Sequence, residues 1–138
     1  MTPFHLAFPV RDLEETRRFY RDVLGCAIGR SSETWVDFSL YGHQMSAHLR
    51  PDAGEAARDG QVGGVAVPIP HFGVVLLMDD WLALSQRLAG SDGVEWLEKP
   101  MIRFKGEPGE QATLFIRDPS GNALEFKGFR SMEQVFAH

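Results

Sequence analysis

The sequence has few of the residues on which several protein classes depend. Cys26 is its single cysteine in 138 residues, which excludes an intrachain disulfide and a cysteine-rich zinc site. Lysine and arginine form no dense cluster and the net charge is −5, so we expect no nucleic-acid partner. No apolar run approaches the roughly 20 residues that cross a bilayer, so we expect no membrane partner.

The remaining composition is that of a globular chain, with 43% hydrophobic and 24% charged residues. Residues 1–138 suffice for a single domain with a real core and are too few for two ordinary domains. The N-terminus lacks the basic and apolar regions of a secretory signal. Together with one cysteine, which we expect to be buried, this predicts a cytoplasmic protein.

The first 50 residues follow a strand–helix–strand pattern. An apolar strand at residues 5–10 is followed by Asp12 and Glu15, whose spacing is typical of a capped helix start. The helix is predicted over residues 13–24 because its apolar side chains recur on one face, and Gly25 is placed to end it. Further strands are expected at residues 26–29, 34–40 and 44–49.

The second half of the chain repeats this order. Its predicted elements are a strand at residues 71–77, a helix at 81–89, and strands at 94–97, 112–117 and 123–127. Asp79 or Asp80 is expected to cap the helix, and the sequence DPSGN at 118–122 predicts a turn. The histidines that open the two halves, His5 and His71, are 66 residues apart. Both halves therefore read as βαβββ modules, and such repetition is an architectural signal.

These patterns divide the single domain into four segments. They are module one at residues 1–50, a linker at 51–70, module two at 71–128 and a C-terminal tail at 129–138. The linker contains four glycines and three prolines, so no stable regular element is expected there beyond one helical turn at Glu55–Arg58.

Polar side chains stand beside small ones on one face of the strands that begin and end the modules. Side chains alternate along a strand, so His5 shares a face with Ala7, and His71 with Gly73. Glu125 likewise shares a face with an alanine, while the larger apolar residues mostly occupy the reverse faces. Small neighbours leave volume, which predicts a polar, ligand-accepting cavity instead of a filled core.

Ordinary structural roles are open to the other histidines. His48 shares a face with Ser46, and both a site role and a packing role stay open for it. His43 is predicted in a turn and His138 at the chain end, so we expect neither in a site. For the two opening histidines and the glutamate, an ordinary surface role is less favoured, because they occupy equivalent points of repeated strands.

Three stretches resemble the vicinal-oxygen-chelate superfamily, which includes glyoxalase I, fosfomycin-resistance thiol transferases, bleomycin-resistance proteins and extradiol dioxygenases. They are HLAFPVRDLEETRRFYRDVLG at residues 5–25, the strand-opening His71, and FIRDPSGNALEF at residues 115–126. The resemblance implies an α+β fold in which two βαβββ modules form a partly open, cavity-bearing β-barrel-like sheet. It also implies a small-molecule substrate and a homodimer, since many members pair modules from two chains.

The resemblance further implies a metal site. In this family the ligands project from the first and last strands of each module, which gives His5, His71 and Glu125 here. Glyoxalase-like members take a fourth ligand, usually a glutamate, from the last strand of module one. The residue expected at that position is His48, either as a ligand or as an acid/base catalyst.

Two imidazoles and one carboxylate with open positions match the ligand set of non-haem Fe(II) oxygenases. Fe(II) is therefore the favoured divalent metal, and Mn, Ni, Co or Zn also fit this set. Such a centre holds two adjacent substrate oxygens, as a catechol would supply. His48 is the candidate that would shuttle the substrate proton.

A polar loop is expected at residues 101–111, between the sixth and seventh strands. The resemblance implies that such loops lie near the mouth of the cavity, where Arg103 and Lys105 would receive an anionic substrate group. The alternative is a solvated loop with ordinary surface charges.

Three functions stay open from the sequence. An extradiol-type ring-cleaving dioxygenase is the leading hypothesis, although many such enzymes carry four modules. A glyoxalase-like lyase or isomerase, or a fosfomycin-type thiol transferase, would use the metal without O₂. A non-enzymatic binder of the bleomycin-resistance kind would need no metal, and the predicted ligands count against it.

Overall fold

The computed structural model describes residues 1–53 and 67–138, which divide into two compact units. The units consist of residues 1–53 with Asp118–Asn122, and residues 67–117 with Ala123–His138. Most of the linker predicted at residues 51–70, including the helical turn at Glu55–Arg58, lies outside the described residues. None of the described helices has the length and hydropathy needed to cross a membrane.

The first unit contains a four-stranded sheet with a helix packed on one face. Its elements are β1 (His5–Val10), α1 (Leu13–Arg17), a π-helical turn (Arg18–Val23), β2 (Ala27–Ser31), β3 (Trp35–Leu40) and β4 (His43–Leu49). The strand order is β1-β4-β3-β2, with β1 parallel to β4 and the other neighbours antiparallel. The predicted βαβββ order is confirmed, and Cys26 is buried as expected.

The helical segment of this unit begins as predicted and then changes type. Asp12 Oδ1 accepts a hydrogen bond from Glu15 N at 2.8 Å and caps the helix. The second half of the predicted helix is a π-helical turn, so the prediction is right in extent and wrong in type. The wider turn reduces the angle between successive side chains, which allows both Phe19 and Tyr20 to be buried.

The second unit repeats the plan with a longer helix. Its elements are β5 (Val75–Leu77), α2 (Met78–Ala89), β6 (Glu95–Arg103), β7 (Gln111–Arg117), β8 (Ala123–Phe129) and a 3-10 helix (Met132–Phe136). The strand order is β5-β8-β7-β6, with β5 parallel to β8. The described strands thus form two open four-stranded sheets, and no closed barrel occurs among them.

The strand predicted at residues 71–77 is shorter, because β5 begins only at Val75. Phe72 makes one isolated parallel bridge to β8. Gly73 passes so close to β8 that a Cβ there would lie 1.6 Å from the carbonyl oxygen of Glu125. A side chain at this position would collide with the backbone, so glycine allows the two chain segments to run side by side.

The start of α2 also differs from the prediction. The helix begins at Met78 instead of Trp81, and its N-cap residue Leu77 makes no side-chain hydrogen bond. Asp79 and Asp80 lie within the first turn and not at the cap, so the predicted cap is wrong. Their negative charges are nevertheless favourable near the N-terminal end of the helix dipole.

The loop predicted at residues 101–111 is shorter than expected, since β6 continues to Arg103. The register of β6 against β7 is irregular on both sides of Glu98. Such irregularity accommodates Pro100, which has no N–H to donate to a neighbouring strand. The connection between β6 and β7 therefore comprises residues 104–110.

Each sheet buries one face against its own helical segment. In the first unit Tyr20 is fully buried and stacks on Phe38 with ring centroids 5.0 Å apart. In the second, Trp81 Nε1 donates to the carbonyl of Phe126 at 2.9 Å. Gly128 lies beneath this indole, because a Cβ there would be 2.7 Å from Trp81 Cβ. The reverse face of each sheet carries polar side chains, among them Ser46 in the first unit and Glu125 in the second.

The segment Asp118–Asn122, predicted only as a turn, is anchored in the first unit by a buried carboxylate. Asp118 accepts hydrogen bonds from the Tyr20 hydroxyl at 2.8 Å and from Asn122 Nδ2 at 2.9 Å. Burial raises the pKa of Asp118, and the hydrogen bonds from Asn122 and Tyr20 oppose that rise. The turn is therefore tied to the helical segment through its carboxylate.

Replacing Tyr20 by Phe removes one of these hydrogen bonds and keeps the ring. We expect the free energy of unfolding near pH 7 to fall by about 1.5–3 kcal/mol, the range for a hydrogen bond to a charged group. The folded-state pKa of Asp118 is already raised and rises further without the hydroxyl. The loss should therefore shrink as the pH falls and the carboxyl becomes protonated in both proteins. Urea unfolding at about pH 7 and pH 4 measures both effects.

The exposed Tyr41 provides the matched control. Tyr41→Phe should reduce the free energy of unfolding by less than Tyr20→Phe does, because Tyr41 is 42% exposed and contacts at exposed positions contribute less. Equal losses in the two variants, or a Tyr20→Phe loss that does not depend on pH, would contradict the role given to the buried carboxylate.

Candidate functional site

The structure brings two of the three predicted metal ligands together in the second unit. His71 Nε2 lies 3.3 Å from Glu125 Oε1, and the two side chains are 22% and 15% exposed. Glu125 faces away from the core because its neighbours Leu124 and Phe126 are fully buried on the opposite face of β8. Partial exposure leaves the pair accessible to a small ligand or ion.

The hydrogen bond on the far side of the His71 ring fixes its tautomer. Nδ1 lies 2.7 Å from the carbonyl oxygen of Pro68, which can only accept. Nδ1 therefore carries the proton, and in the neutral ring Nε2 carries a lone pair. That lone pair faces a carboxylate oxygen of Glu125, an arrangement that is repulsive unless the ring is protonated or a cation lies between the two groups.

The carboxylate of Glu125 is also held by a neighbouring side chain. Its Oε2 accepts a hydrogen bond from Thr113 Oγ1 at 2.6 Å, which leaves Oε1 directed at His71. Phe115 supports the imidazole from the side, with ring centroids 5.0 Å apart and an interplanar angle of 78°. Metal-binding histidines and carboxylates are commonly oriented by such outer hydrogen bonds, so the donor chemistry of this pair fits a divalent metal.

A pocket of about 290 Å³ opens beside the pair, close to the lower end of the size range of small-molecule sites. Its lining residues, all in the second unit, are Val67, His71, Glu98, Arg103, Gln111, Ala112, Thr113, Phe115, Glu125 and Lys127. Arg103 was expected near the substrate and lies in this lining. Lys105 was expected beside it, but it is an exposed residue of the following loop and does not line this pocket.

Two charged residues of the pocket were missed by the sequence analysis. Lys127 is two residues beyond Glu125 on the same face of β8, so strand alternation could have identified it. Glu98 belongs to the irregular part of β6, where alternation is interrupted and gives no usable signal.

The first unit holds its opening histidine in a similar way. His5 Nδ1 is 2.9 Å from Gln44 Oε1, an oxygen that can only accept, so this ring also carries its proton on Nδ1. The Gln44 amide donates to one Asp37 oxygen at 3.4 Å, and Ser46 Oγ donates to the other at 2.6 Å. In the neutral ring the Nε2 atom of the exposed His5 consequently carries a lone pair.

The strand registers identify which residues of the two units are equivalent. In the second unit, a bridged pair joins the residue after the opening histidine to the residue before Glu125. In the first unit, the residue after His5 pairs with Met45, so the residue equivalent to Glu125 is Ser46. His48, half-buried on the same face, lies two residues beyond the position that the resemblance implied for it.

His5 and His48 thus belong to the first unit, and His71 and Glu125 to the second. Within residues 1–53 and 67–138, no group of three or more His, Cys, Asp or Glu side chains is close enough to hold a metal ion. The donors that the structure does bring together are one imidazole and one carboxylate at the edge of a pocket.

Comparisons with solved structures identify proteins of the same architecture. A glyoxalase/bleomycin resistance protein/dioxygenase from Alicyclobacillus acidocaldarius is 30% identical, with a TM-score of 0.77 over 98% of this chain and 96% of that chain. The fosfomycin resistance protein FosX from Listeria monocytogenes is 15% identical, with a TM-score of 0.66 over 97% of both chains. Lactoylglutathione lyase from Agrobacterium tumefaciens is 18% identical, with a TM-score of 0.58 over 99% of this chain and 97% of that chain.

The last two likenesses are too distant in sequence to show more than the fold. No curated protein matches the sequence. The family described as the glyoxalase/bleomycin resistance protein/dioxygenase superfamily matches residues 2–126, nearly the whole chain. The chain therefore belongs to that superfamily, the vicinal-oxygen-chelate proteins that its sequence resembles.

Proposed function

We propose that this protein is a divalent-metal enzyme acting on a small molecule with two adjacent oxygens, and that its reaction is extradiol-type ring cleavage. The observation that carries the proposal is the orientation of His71. Its Nδ1–H is bound to the Pro68 carbonyl, so in the neutral ring the Nε2 lone pair lies 3.3 Å from Glu125 Oε1. A divalent metal held by His71 and Glu125 would remove the repulsion between the two groups.

The proposed ligand set is His71, Glu125 and His5, the last from the same chain or from a second copy in a homodimer. Two imidazoles and one carboxylate favour Fe(II), while Mn, Ni, Co and Zn also suit these donors. The residue equivalent to Glu125 in the first unit is Ser46, which offers no carboxylate. This favours a three-ligand oxygenase site over the four-ligand set of glyoxalase-like members.

The remaining residues have distinct roles in this proposal. When bound, the metal supplies Lewis acidity and a template for two adjacent oxygens of the substrate. Phe115 and the Pro68 carbonyl hold the His71 ring in one orientation. His48 is the proposed acid/base residue, which takes a proton from a substrate hydroxyl and returns it to the product.

Metal content and oxygen uptake test the proposal together. Untagged protein should bind about one divalent metal per chain, and the Fe(II) form should consume O₂ with at least one member of a catechol panel. His71→Ala and Glu125→Gln should lose the metal and the activity, because each removes one donor of the pair. Elemental analysis and an oxygen electrode measure the two properties.

His43 provides a matched histidine outside the proposed ligand set, since its Nδ1 accepts a hydrogen bond from the backbone of Phe4. His43→Gln should keep both the metal and the oxygen uptake. Bound metal without oxygen uptake would contradict the dioxygenase and favour a lyase, isomerase or thiol transferase. Absence of bound metal would contradict the whole proposal and favour a non-enzymatic binder.

The hydrogen bond from Thr113 to Glu125 should contribute to metal affinity without contacting the metal. Thr113→Val removes the hydroxyl and keeps the shape of the side chain, so the carboxylate loses its orienting partner. We expect affinity for Co²⁺ to fall by about 10–100-fold, the usual effect of removing an outer hydrogen bond. Calorimetric titration measures it, with Thr113→Ser as the variant that keeps the hydroxyl. Equal affinities for the valine and serine variants would show that this bond does not orient the ligand.

His48 should affect turnover and not metal content. In His48→Gln the side chain keeps hydrogen-bonding atoms but cannot exchange a proton near neutral pH. We expect kcat to fall by about 10²–10⁴-fold, the usual contribution of a general acid/base. Metal stoichiometry should be unchanged. Loss of the metal from this variant would instead identify His48 as a ligand.

A further inference from the structure

The charged side chains that line the pocket of the second unit are separated by sign along the direction of its strands. On β7 the side chains of Phe115, Thr113 and Gln111 lie on the pocket face at intervals of two residues. Phe115 is paired across the sheet with Glu125 on one side and Glu98 on the other. We call this cross-strand set of Glu125, Phe115 and Glu98 the acidic row.

The two cationic side chains of the pocket lie on the strands beside β7, opposite its next two pocket-facing residues. Thr113 is paired with Lys127 on β8, and Gln111 is paired with Arg103 on β6. A strand advances about 3.3 Å per residue, so the α-carbons of these positions lie about 7 and 13 Å from the acidic row. The pocket therefore has a carboxylate-rich end and a cationic end.

Both cations are available to a ligand. Arg103 and Lys127 are exposed, and neither forms an ion pair with a carboxylate in the part of the chain that the structure describes. They come from different strands and line the same pocket. Two cations that line one cavity can both donate charge-assisted hydrogen bonds to an anionic oxygen group of a ligand.

The loop that follows Arg103 is held in place from inside. Glu110 is almost fully buried, and its two oxygens accept hydrogen bonds from Gly106 N at 2.8 Å and from Arg130 Nε at 2.5 Å. The bond from Gly106 lowers the pKa of Glu110, burial opposes this, and Arg130 lowers the pKa further. Because this loop is held in place, the backbone of Arg103, at the end of β6, has a defined position beside the pocket.

We propose that Arg103 and Lys127 form an anion subsite in this pocket, displaced by two to four residues along β7 from the end that holds His71 and Glu125. The inference rests on the proposed function for the other end, where the two adjacent oxygens bind. The substrate is then elongated, with an oxygen-chelating head separated from a carboxylate or similar anionic tail by about 7–13 Å. Glu98 repels such a tail from the acidic row and so sets the direction in which the substrate enters.

Two pairs of small molecules test the subsite. The first pair is 3-(3,4-dihydroxyphenyl)propionate and its amide, titrated into Zn²⁺-loaded protein so that no oxidation occurs. The second pair is 3-phenylpropionate and its amide, which lack the chelating oxygens, titrated into metal-free protein and followed by ligand-observed NMR. In both pairs we expect the acid to bind the wild-type protein at least about 10-fold more tightly than the amide. Added salt should reduce this preference.

The double variant Arg103→Gln/Lys127→Gln should reduce the preference to about twofold or less. Lys99→Gln removes an exposed lysine of β6 that does not line the pocket, and it should keep the wild-type preference. All three substituted positions are exposed, so folding should be little affected. Unsubstituted catechol, which has no tail, should bind the double variant and the wild-type protein equally.

The outcomes separate this inference from the proposed function. An acid preference that depends on Arg103 and Lys127, found without binding of metal or catechol, would support the subsite and contradict the proposed function. Binding of metal and catechol with no acid preference would do the reverse. A preference that survives in the double variant would also overturn the subsite.

Discussion

The hydrogen bond between His71 Nδ1 and the Pro68 carbonyl is the interaction on which the site depends. It places a ring proton on the side away from Glu125, so in the neutral ring the Nε2 lone pair faces a carboxylate oxygen at 3.3 Å. Because Gly73 has no side chain, the backbone there runs directly against β8 at Glu125. This close approach keeps His71 beside Glu125. Thr113 then leaves one carboxylate oxygen for the histidine or for a cation. Two electron-pair donors held at this separation are suited to a shared positive ion.

The two units share one backbone arrangement, but the side chains at equivalent positions differ in chemistry. Each unit opens with a histidine whose Nδ1 is bound to an oxygen that can only accept. The second unit adds a carboxylate on its last strand, whereas the first has Ser46 there, bound to the buried Asp37. One unit therefore offers two donors and the other offers one. In the proposed function this asymmetry corresponds to three protein ligands, with positions left for a substrate that chelates through two oxygens.

The sequence predicts the repeated βαβββ order because periodicity and turn residues are local signals. The same alternation directs Glu125 to the open face, and it would also have identified Lys127. Other features depend on contacts distant in sequence. The shortened β5 reflects the approach of Gly73 to Glu125. The irregular register of β6 interrupts side-chain alternation at Glu98, so alternation does not predict which face this residue takes. The π-helical turn follows from the burial of Phe19 beside Tyr20. The equivalence of Ser46 with Glu125 follows from how the first strand of each unit pairs with the last one. Counting residues along the sequence does not reveal this pairing.

The most direct test of the shared ion is a crystal structure of Zn²⁺-loaded protein, with the metal identified by anomalous scattering at its absorption edge. The account predicts one strong peak about 2.0–2.2 Å from both His71 Nε2 and Glu125 Oε1, while Nδ1 stays bound to the Pro68 carbonyl. An imidazole and a carboxylate in direct contact with no metal between them, at full Zn²⁺ saturation, would contradict it.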